Sequence, residues 1–108
     1  MNGSFGIREF TEGGCSPFAE WFGELDAVTA ARVDRYIRRL EAGNFGAAQP
    51  LRDGVFELRL DFGPGYRVYY GREGRTIIIL LGGGSKRRQD ADVAAAVERW
   101  KRYKQTKA

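Results

Sequence analysis

Two arginines and a tyrosine are the side chains of this sequence whose types and spacing best suit chemistry on a phosphate. Arg59 belongs to the alternating stretch VFELRLDF, while Arg67 and Tyr69 belong to YRVYY, which follows a Gly-Pro-Gly turn. Two guanidinium groups close together on paired strands can hold a phosphate and stabilise the charge that develops on it during phosphoryl transfer. A tyrosine beside them can stack on a base or relay a proton. The group is therefore a candidate site for binding a phosphate and for phosphoryl transfer.

Strand alternation predicts which other side chains share a face with these three. If GPG forms a three-residue turn, Asp61 lies opposite Arg67 and Arg59 lies opposite Tyr69, with Glu57 on the same face. The core-facing side then consists of Leu58, Leu60, Phe62, Val68 and Tyr70. An ordinary ion pair between Arg67 and Asp61 on a solvated face is the competing interpretation, because polar outer faces are common in antiparallel sheets.

A second cationic cluster follows the last predicted strand, in the stretch GGGSKRRQ. Lys86, Arg87 and Arg88 lie where a helix begins, and cations there oppose the helix dipole at a cost of about 0.3–1 kcal/mol each. A bound phosphate would offset that cost, because helix N–H groups and basic side chains both favour an anion. Asp90 and Asp92 in the first turn are the simpler compensation. The stretch lacks the G-x-x-x-x-G-K-[ST] spacing of a Walker loop.

The charge distribution favours a nucleic-acid, polyphosphate or acidic protein partner. Residues 85–108 hold eight Lys/Arg against three Asp/Glu and residues 1–84 hold ten against eleven, so the C-terminal quarter carries +5 and the rest −1. Lys101 and Lys104 extend the basic character along the final helix and, with Arg87 and Arg88, are predicted RNA contacts. A solvated basic helix is the alternative explanation.

The composition narrows the remaining chemistry and the cellular setting. Without histidine there is no histidine base, and one cysteine, Cys15, allows neither an internal disulfide nor a structural zinc site. We therefore expect no metal and no cofactor. The longest apolar run is far shorter than the roughly 20 residues of a spanning helix, and the N-terminus has no secretory signal pattern, so we expect a cytoplasmic protein.

The helices and strands that must position these residues are recognised by the spacing of apolar residues, which changes along the chain between the helical and the strand period. The predicted elements are a strand at Phe5–Phe10, a helix capped at Ser16, a helix capped at Asp26 or Thr29 and ended by Gly43, strands at 55–62, 66–70 and 76–81, and a final helix beginning after Asp90 or Asp92. This order, β-α-α-β-β-β-α, predicts an α+β fold in one domain over residues 1–108. We expect a small antiparallel sheet of the N-terminal strand plus a three-stranded meander. The helical hairpin and the C-terminal helix should cover one face and leave the other at least partly open.

Several stretches, in order along nearly the whole chain, resemble a known family. They are FAEWFGEL, RRLEAGNFG, GVFELRLDFGPGYRVYY, LLGGGSKRRQDADVAAA and the closing ERW. The sequence is similar to the RelE/ParE toxin superfamily, and within it to the HigB-like addiction module killer branch. The strand pair followed by the glycine-rich turn is the most specific part of this resemblance.

The resemblance implies the toxin of a type II toxin-antitoxin system, a ribosome-dependent endoribonuclease that cleaves messenger RNA and inhibits translation. It also implies neutralisation by a helix-turn-helix antitoxin, for which a heterotetramer is one arrangement. The family's sheet arginines match Arg67 and Arg59, and its basic residue after the glycine turn matches Lys86 or Arg87. Our hypothesis is that Arg67 and Arg59 polarise the scissile phosphate, Lys86 neutralises charge, and the RNA 2′-hydroxyl attacks. A gyrase-poisoning toxin of the same fold and a non-enzymatic RNA-binding protein are the alternatives.

Overall fold

The computed structural model describes residues 4–107 and has an α+β fold, as the sequence predicts. The strands are β1 (Gly6–Glu9), β2 (Ala48–Pro50), β3 (Val55–Arg59), β4 (Arg67–Glu73) and β5 (Ile77–Gly84). The helices are α1 (Pro17–Gly23), α2 (Ala27–Glu41) and α3 (Gln89–Lys107), and a short 3-10 turn (Lys86–Arg88) leads into α3. The predicted order of elements is confirmed, with the short strand β2 added to it. No helix within the described range combines the length and apolarity that crossing a bilayer requires.

The five strands form one mixed sheet in the order β1-β5-β4-β3-β2. The pairs β2–β3, β3–β4 and β4–β5 are antiparallel, whereas β1 runs parallel to β5. The expectation of a wholly antiparallel sheet is therefore wrong for the β1–β5 pair. Parallel pairing needs a long crossover connection, and the chain between β1 and β5 contains both helices of the hairpin. Strand β2 is too short for its periodicity to be recognised, and Pro50 is tolerated there because β2 is an edge strand.

Helices cover both faces of the sheet, which corrects the expectation that they share one. The hairpin α1–α2 packs on one face, where Val33, Ile37 and Leu40 meet sheet residues such as Leu58 and Leu80. Helix α3 packs on the other face, where the buried residues are Phe10, Val55, Tyr69, Ile79, Leu81, Ala96, Val97 and Trp100. Because β5 is apolar on both sides, each of its faces needs a cover of its own.

Side-chain caps fix where the first two helices begin. The Ser16 hydroxyl accepts a 3.0 Å hydrogen bond from the Ala19 amide at the start of α1. At the start of α2, Asp26 accepts one of 2.8 Å from the Thr29 amide, so Asp26 rather than Thr29 is the cap. After α2, Gly43 adopts a φ of 88°, a left-handed conformation that glycine accepts without strain and that ends the helix as predicted.

Two glycines in the sheet make room for the two tryptophans. Gly71 in β4 lies under Trp100 of α3, and a methyl group there would meet the indole ring at 2.5–2.6 Å. Gly83 in β5 lies in the same way under Trp21 of α1. The helices on the two faces therefore approach the sheet closely because these positions have no side chain.

We predict that Gly71→Ala destabilises the fold, because the added methyl group would push Trp100 away from the sheet. The free energy of unfolding in urea should fall by about 1–3 kcal/mol, the usual cost of overpacking a core. Gly23→Ala is the matched control, since a methyl group there meets nothing within 4 Å and alanine favours a helix. Equal stability of the two variants would contradict this account of how α3 is seated.

Candidate nucleic-acid interface

The hairpin between β3 and β4 has a longer turn than the sequence suggested. Arg59 lies opposite Arg67, and Glu57 lies opposite Tyr69, so the predicted register is displaced by two residues. A shift of two preserves the faces, because side chains alternate with a period of two. The four residues therefore share a face as predicted, although their cross-strand partners differ.

Asp61 is not a partner of Arg67, so the competing interpretation of an Arg67–Asp61 ion pair is wrong. It lies in the turn and accepts a hydrogen bond from the Tyr36 hydroxyl of α2, on the other side of the sheet. That hydrogen bond lowers the pKa of the Asp61 carboxyl below its ordinary value. Glu57 takes the place that the sequence analysis gave to Asp61.

The Glu57 carboxylate is the centre of the site. It is fully buried and accepts hydrogen bonds from four side chains that come from three strands and a helix. The donors are Arg67 Nε at 2.9 Å, Gln89 Nε2 at 2.8 Å, Gln49 Nε2 at 3.1 Å and Arg59 Nε at 3.3 Å. A buried carboxylate is stable only when it is paired and hydrogen-bonded, and these donors satisfy that condition.

The two predicted arginines differ in how much of their surface a ligand can reach. Arg67 is 6% exposed, and besides Glu57 its Nη1 donates a 2.7 Å hydrogen bond to the Gly65 carbonyl. The side chain of Arg59 is 57% exposed and contacts Glu57 through Nε alone. Within residues 4–107 the Nη groups of Arg59 donate no hydrogen bond, so their donors face solvent. Arg59 is thus the arginine whose donors a ligand can reach, and Arg67 is hydrogen-bonded to the turn beneath it.

The glycine-rich turn brings the second cationic cluster to the same place. The Lys86 amide donates to the Pro64 carbonyl at 3.3 Å, and a methyl group on Gly65 would lie 3.1 Å from Lys86 Cβ and 3.2 Å from Arg67 Nη1. Gly65, with a φ of 76°, thus permits the close approach of the turn to Lys86. Gly84, just before this cluster, pairs with Arg67, which in turn pairs with Arg59. Because neighbouring strands are about 4.8 Å apart, these positions form one row across the end of the sheet.

Exposed cations continue from this row into the start of α3. Lys86, Arg87 and Arg88 form the 3-10 turn, and all three are exposed. They line a cleft of about 500 Å³ together with the first residues of α3. The cleft is open and positively charged, which suits a phosphate backbone.

Tyr69 is on the predicted face but is wholly buried under α3. Its hydroxyl has no hydrogen-bond partner within the described chain, and burial is the main cause that raises the pKa of this phenol above its ordinary value. A ring without exposed surface has no face on which a base can stack. The structure thus places Tyr69 in the core and beneath the site.

Lys101 and Lys104 are remote from the cluster. They lie near the other end of α3, and at 1.5 Å per residue the helix separates Gln89 from Lys104 by about 22 Å. Lys101 pairs with Glu98 at 3.5 Å on the helix surface. The structure brings together Arg59, Arg67, Lys86, Arg87 and Arg88, and leaves these two lysines outside.

Sequence reasoning missed Gln49 and Gln89, which complete the contacts of Glu57. Gln89 ends the GGGSKRRQ stretch and Gln49 precedes Pro50, but an uncharged glutamine at either place gave no signal of a contact with Glu57. Glu57 itself carried a signal, since it is a carboxylate between apolar residues of a strand. Strand alternation alone did not show that Glu57 is buried.

We predict that Glu57→Gln and Arg67→Leu each lower the free energy of unfolding by about 3–5 kcal/mol, because Glu57→Gln leaves the buried Arg67 without a counterion and Arg67→Leu leaves the buried Glu57 with only the exposed Arg59 as its cationic partner. The double variant should cost clearly less than the sum of the two, as expected for contacting groups. Circular dichroism during urea unfolding measures both quantities. Glu41→Gln is the control, since its ion pair with Arg38 is exposed and contributes at most about 1 kcal/mol. Additive costs would show that the pair is not coupled.

Comparison with known proteins identifies the family of the chain. A protein of Haemophilus influenzae described as uncharacterized is 44% identical over 80 residues, which cover 73% of this chain and 81% of that protein. Residues 20–104 match the family described as Phage derived protein Gp49-like (DUF891). This range includes the β3–β4 hairpin, the glycine-rich turn and most of α3. The chain therefore belongs to the Gp49-like family, a toxin family of the RelE-like addiction modules.

Proposed function

We propose that this toxin is a HigB-like, ribosome-dependent endoribonuclease that cleaves messenger RNA and so inhibits translation. The observation that carries the proposal is the pair of exposed cations, Arg59 and Lys86, beside the buried Arg67–Glu57 ion pair. This arrangement offers donors for one phosphate on a rigid base of strands. Rigid positioning is what electrostatic stabilisation of a transition state requires.

In the proposed reaction the scissile phosphate lies between Arg59 and Lys86. The RNA 2′-hydroxyl gives its proton to water as its oxygen attacks phosphorus, the bond to the 5′-oxygen breaks and that oxygen takes a proton from water, and a 2′,3′-cyclic phosphate and a 5′-hydroxyl form. Negative charge builds on the non-bridging oxygens, and the guanidinium of Arg59 and the ammonium of Lys86 stabilise it. The 2′-hydroxyl requirement confines the reaction to RNA.

Arg67 acts in this proposal as a positioning residue. Its guanidinium is held by Glu57 and by the Gly65 carbonyl, so it fixes the turn against which Lys86 packs. Its positive charge also lies directly below the site. Arg87 and Arg88 contact the flanking phosphates, which adds affinity that depends on salt rather than on sequence.

The proposal includes three partners in the cytoplasm: messenger RNA, the ribosome, and a helix-turn-helix antitoxin that neutralises the toxin. Membership of a toxin family implies the antitoxin. A cationic site of this kind is neutralised most directly by acidic groups of a partner. A heterotetramer with two copies of each chain is one arrangement of this complex.

We predict that Arg59→Ala lowers cleavage at least about 100-fold without unfolding the protein, because it removes donors to the developing charge while Glu57 keeps three other partners. Primer extension on a reporter messenger RNA in a translating extract measures the cuts. Arg35→Ala, an exposed arginine of α2 outside the cluster, is the matched control and should cleave normally. Extract without ribosomes should give no cuts.

Wild-type activity in Arg59→Ala would overturn the assignment of the site. If the wild-type protein makes no cuts but its expression still arrests growth, the gyrase-poisoning alternative replaces the nuclease proposal. Salt-sensitive RNA binding with neither cuts nor growth arrest would leave a non-enzymatic RNA-binding protein.

We predict that Tyr69→Phe retains cleavage and changes the free energy of unfolding by less than about 1 kcal/mol. The hydroxyl removed makes no hydrogen bond within residues 4–107, and the ring that packs the core remains. The same primer-extension assay and urea unfolding measure both properties. A large loss of cleavage in a stable Tyr69→Phe protein would restore the proton-relay role that the sequence suggested.

A further inference from the structure

A cleft beside Arg59 extends from the proposed nuclease site to the edge of the sheet. It has a volume of about 430 Å³ and is here called the edge cleft. Its walls are Tyr36 and Arg39 of α2, residues 46–49 of β2 and the loop before it, and Arg59 and Asp61 where β3 ends. Pockets for small ligands have volumes of roughly 300–1,000 Å³, so the cleft has room for a nucleobase. A nucleotide whose phosphate contacts Arg59 can therefore place its base in the edge cleft.

The loop that forms one wall of the edge cleft is tied to its neighbours by hydrogen bonds. The Asn44 amide donates to the Arg39 carbonyl at 2.8 Å, and the Asn44 side chain accepts a bond of 3.0 Å from the Gly46 amide. The Ala47 carbonyl accepts a bond of 3.0 Å from the Arg59 amide. The loop is thus joined to α2 on one side and to β3 on the other. A ligand meets a wall that is already in place, which reduces the ordering cost of binding.

The Asp61 carboxylate is the charged acceptor of the edge cleft. Its Oδ1 accepts a hydrogen bond from the Tyr36 hydroxyl, which orients the group and lowers its pKa. Within residues 4–107 Asp61 forms no ion pair and accepts no hydrogen bond from another side chain. Because an ionised carboxylate accepts hydrogen bonds and donates none, the remaining lone pairs of Asp61 suit a ligand edge that carries donors.

Arg39 offers the edge cleft a planar cationic group. Its Cζ lies 4.5 Å from the centre of the Tyr36 ring, so the guanidinium rather than the ring is the outer surface. Arg39 is exposed and forms no ion pair in the described part of the chain. Guanidinium planes are surfaces on which unpaired RNA bases stack. A base in the cleft can stack on Arg39 while its edge faces Asp61.

The pattern of donors on the base determines which nucleotide suits Asp61. Guanine carries two neighbouring donors, N1–H and the N2 amino group, which match the two oxygens of a carboxylate. In adenine and cytosine the amino group has a ring-nitrogen acceptor beside it, and in uracil N3–H lies between two carbonyl oxygens. Each of those acceptors would face a negatively charged oxygen without a proton between them. Guanine is therefore the base that Asp61 favours.

We propose that the edge cleft binds the guanine of a nucleotide adjoining the scissile phosphate, with Asp61 as the specificity-determining residue. This inference rests on the proposed function, because the nuclease reaction places an RNA phosphate at Arg59. It gives the proposed nuclease a preference for guanine at the site of cleavage. The cations then hold any RNA, and Asp61 selects among the bases.

The test measures the affinity of the full-length protein for the 3′,5′-bisphosphates of the four ribonucleosides by isothermal titration calorimetry. These compounds have a phosphate on each side of the ribose and no phosphodiester bond to cleave. We expect the guanosine compound to bind about tenfold more tightly than the other three. Asp61→Asn should abolish that preference, because the amide has one acceptor oxygen in place of two. Asp34→Asn is the matched control, since Asp34 is an exposed carboxylate of α2 outside the cleft, and it should keep the preference.

Equal affinity of the wild type for all four bisphosphates would overturn the proposal. A guanosine preference that survives in Asp61→Asn, shown by circular dichroism to be folded, would also overturn it. Arg59→Ala should weaken the binding of all four compounds alike and keep the guanosine preference, because it removes a phosphate contact and leaves Asp61 in place.

The guanine site and the nuclease reaction can fail separately. A guanosine preference in a protein that makes no cuts in the primer-extension assay would support the guanine site and overturn the nuclease alone. Cuts that fall equally beside all four bases, together with equal affinities for the four bisphosphates, would overturn the guanine site alone.

Discussion

The buried carboxylate of Glu57 is the interaction on which the arrangement of the cationic site depends. Its four donors come from β2, β3, β4 and α3, so one side chain joins the edge of the sheet, its centre and the last helix. Such a group adds little net stability over an apolar residue, since its desolvation is costly. What it supplies is geometry, because a buried carboxylate needs hydrogen-bond donors around it and these donors come from four different elements. The positions of Arg59 and Lys86 therefore depend on the contacts around Glu57.

The fold separates packing from binding by covering both faces of the sheet. The α1–α2 hairpin occupies one face and α3 the other, so the ends of the strands and the adjoining turns are the surfaces left for a ligand. The cationic row of Arg59, Arg67 and the Lys86 turn lies at one such end. A surface of this kind is rigid at its base and open at its top, which suits a long and flexible substrate.

Periodicity predicted the class and order of the elements, because α2, β3, β4, β5 and α3 have apolar residues at the spacing of a helix or of a strand. It also predicted the shared face of Glu57, Arg59, Arg67 and Tyr69. The register escaped prediction because GPG lies inside a longer turn, in which Asp61 accepts a hydrogen bond from Tyr36 of the distant helix α2. The parallel pairing of β1, the burial of Tyr69 and the two glutamines depend on contacts between distant segments, which local pattern does not encode. For the site, the sequence therefore supplied the cations but not the carboxylate network that orders them.

The parallel pairing of β1 with β5 bears on how the protein is made. Residues 6–9 pair with residues 77–80, so the first strand can find its partner only after most of the chain has left the ribosome. Contacts of such long sequence separation form slowly, since a large loop must close before they contribute stability. The last donor to Glu57, Gln89, arrives later still, with α3. The nascent chain thus passes through synthesis with its cationic residues unassembled, and the site appears only when the C-terminal segment docks.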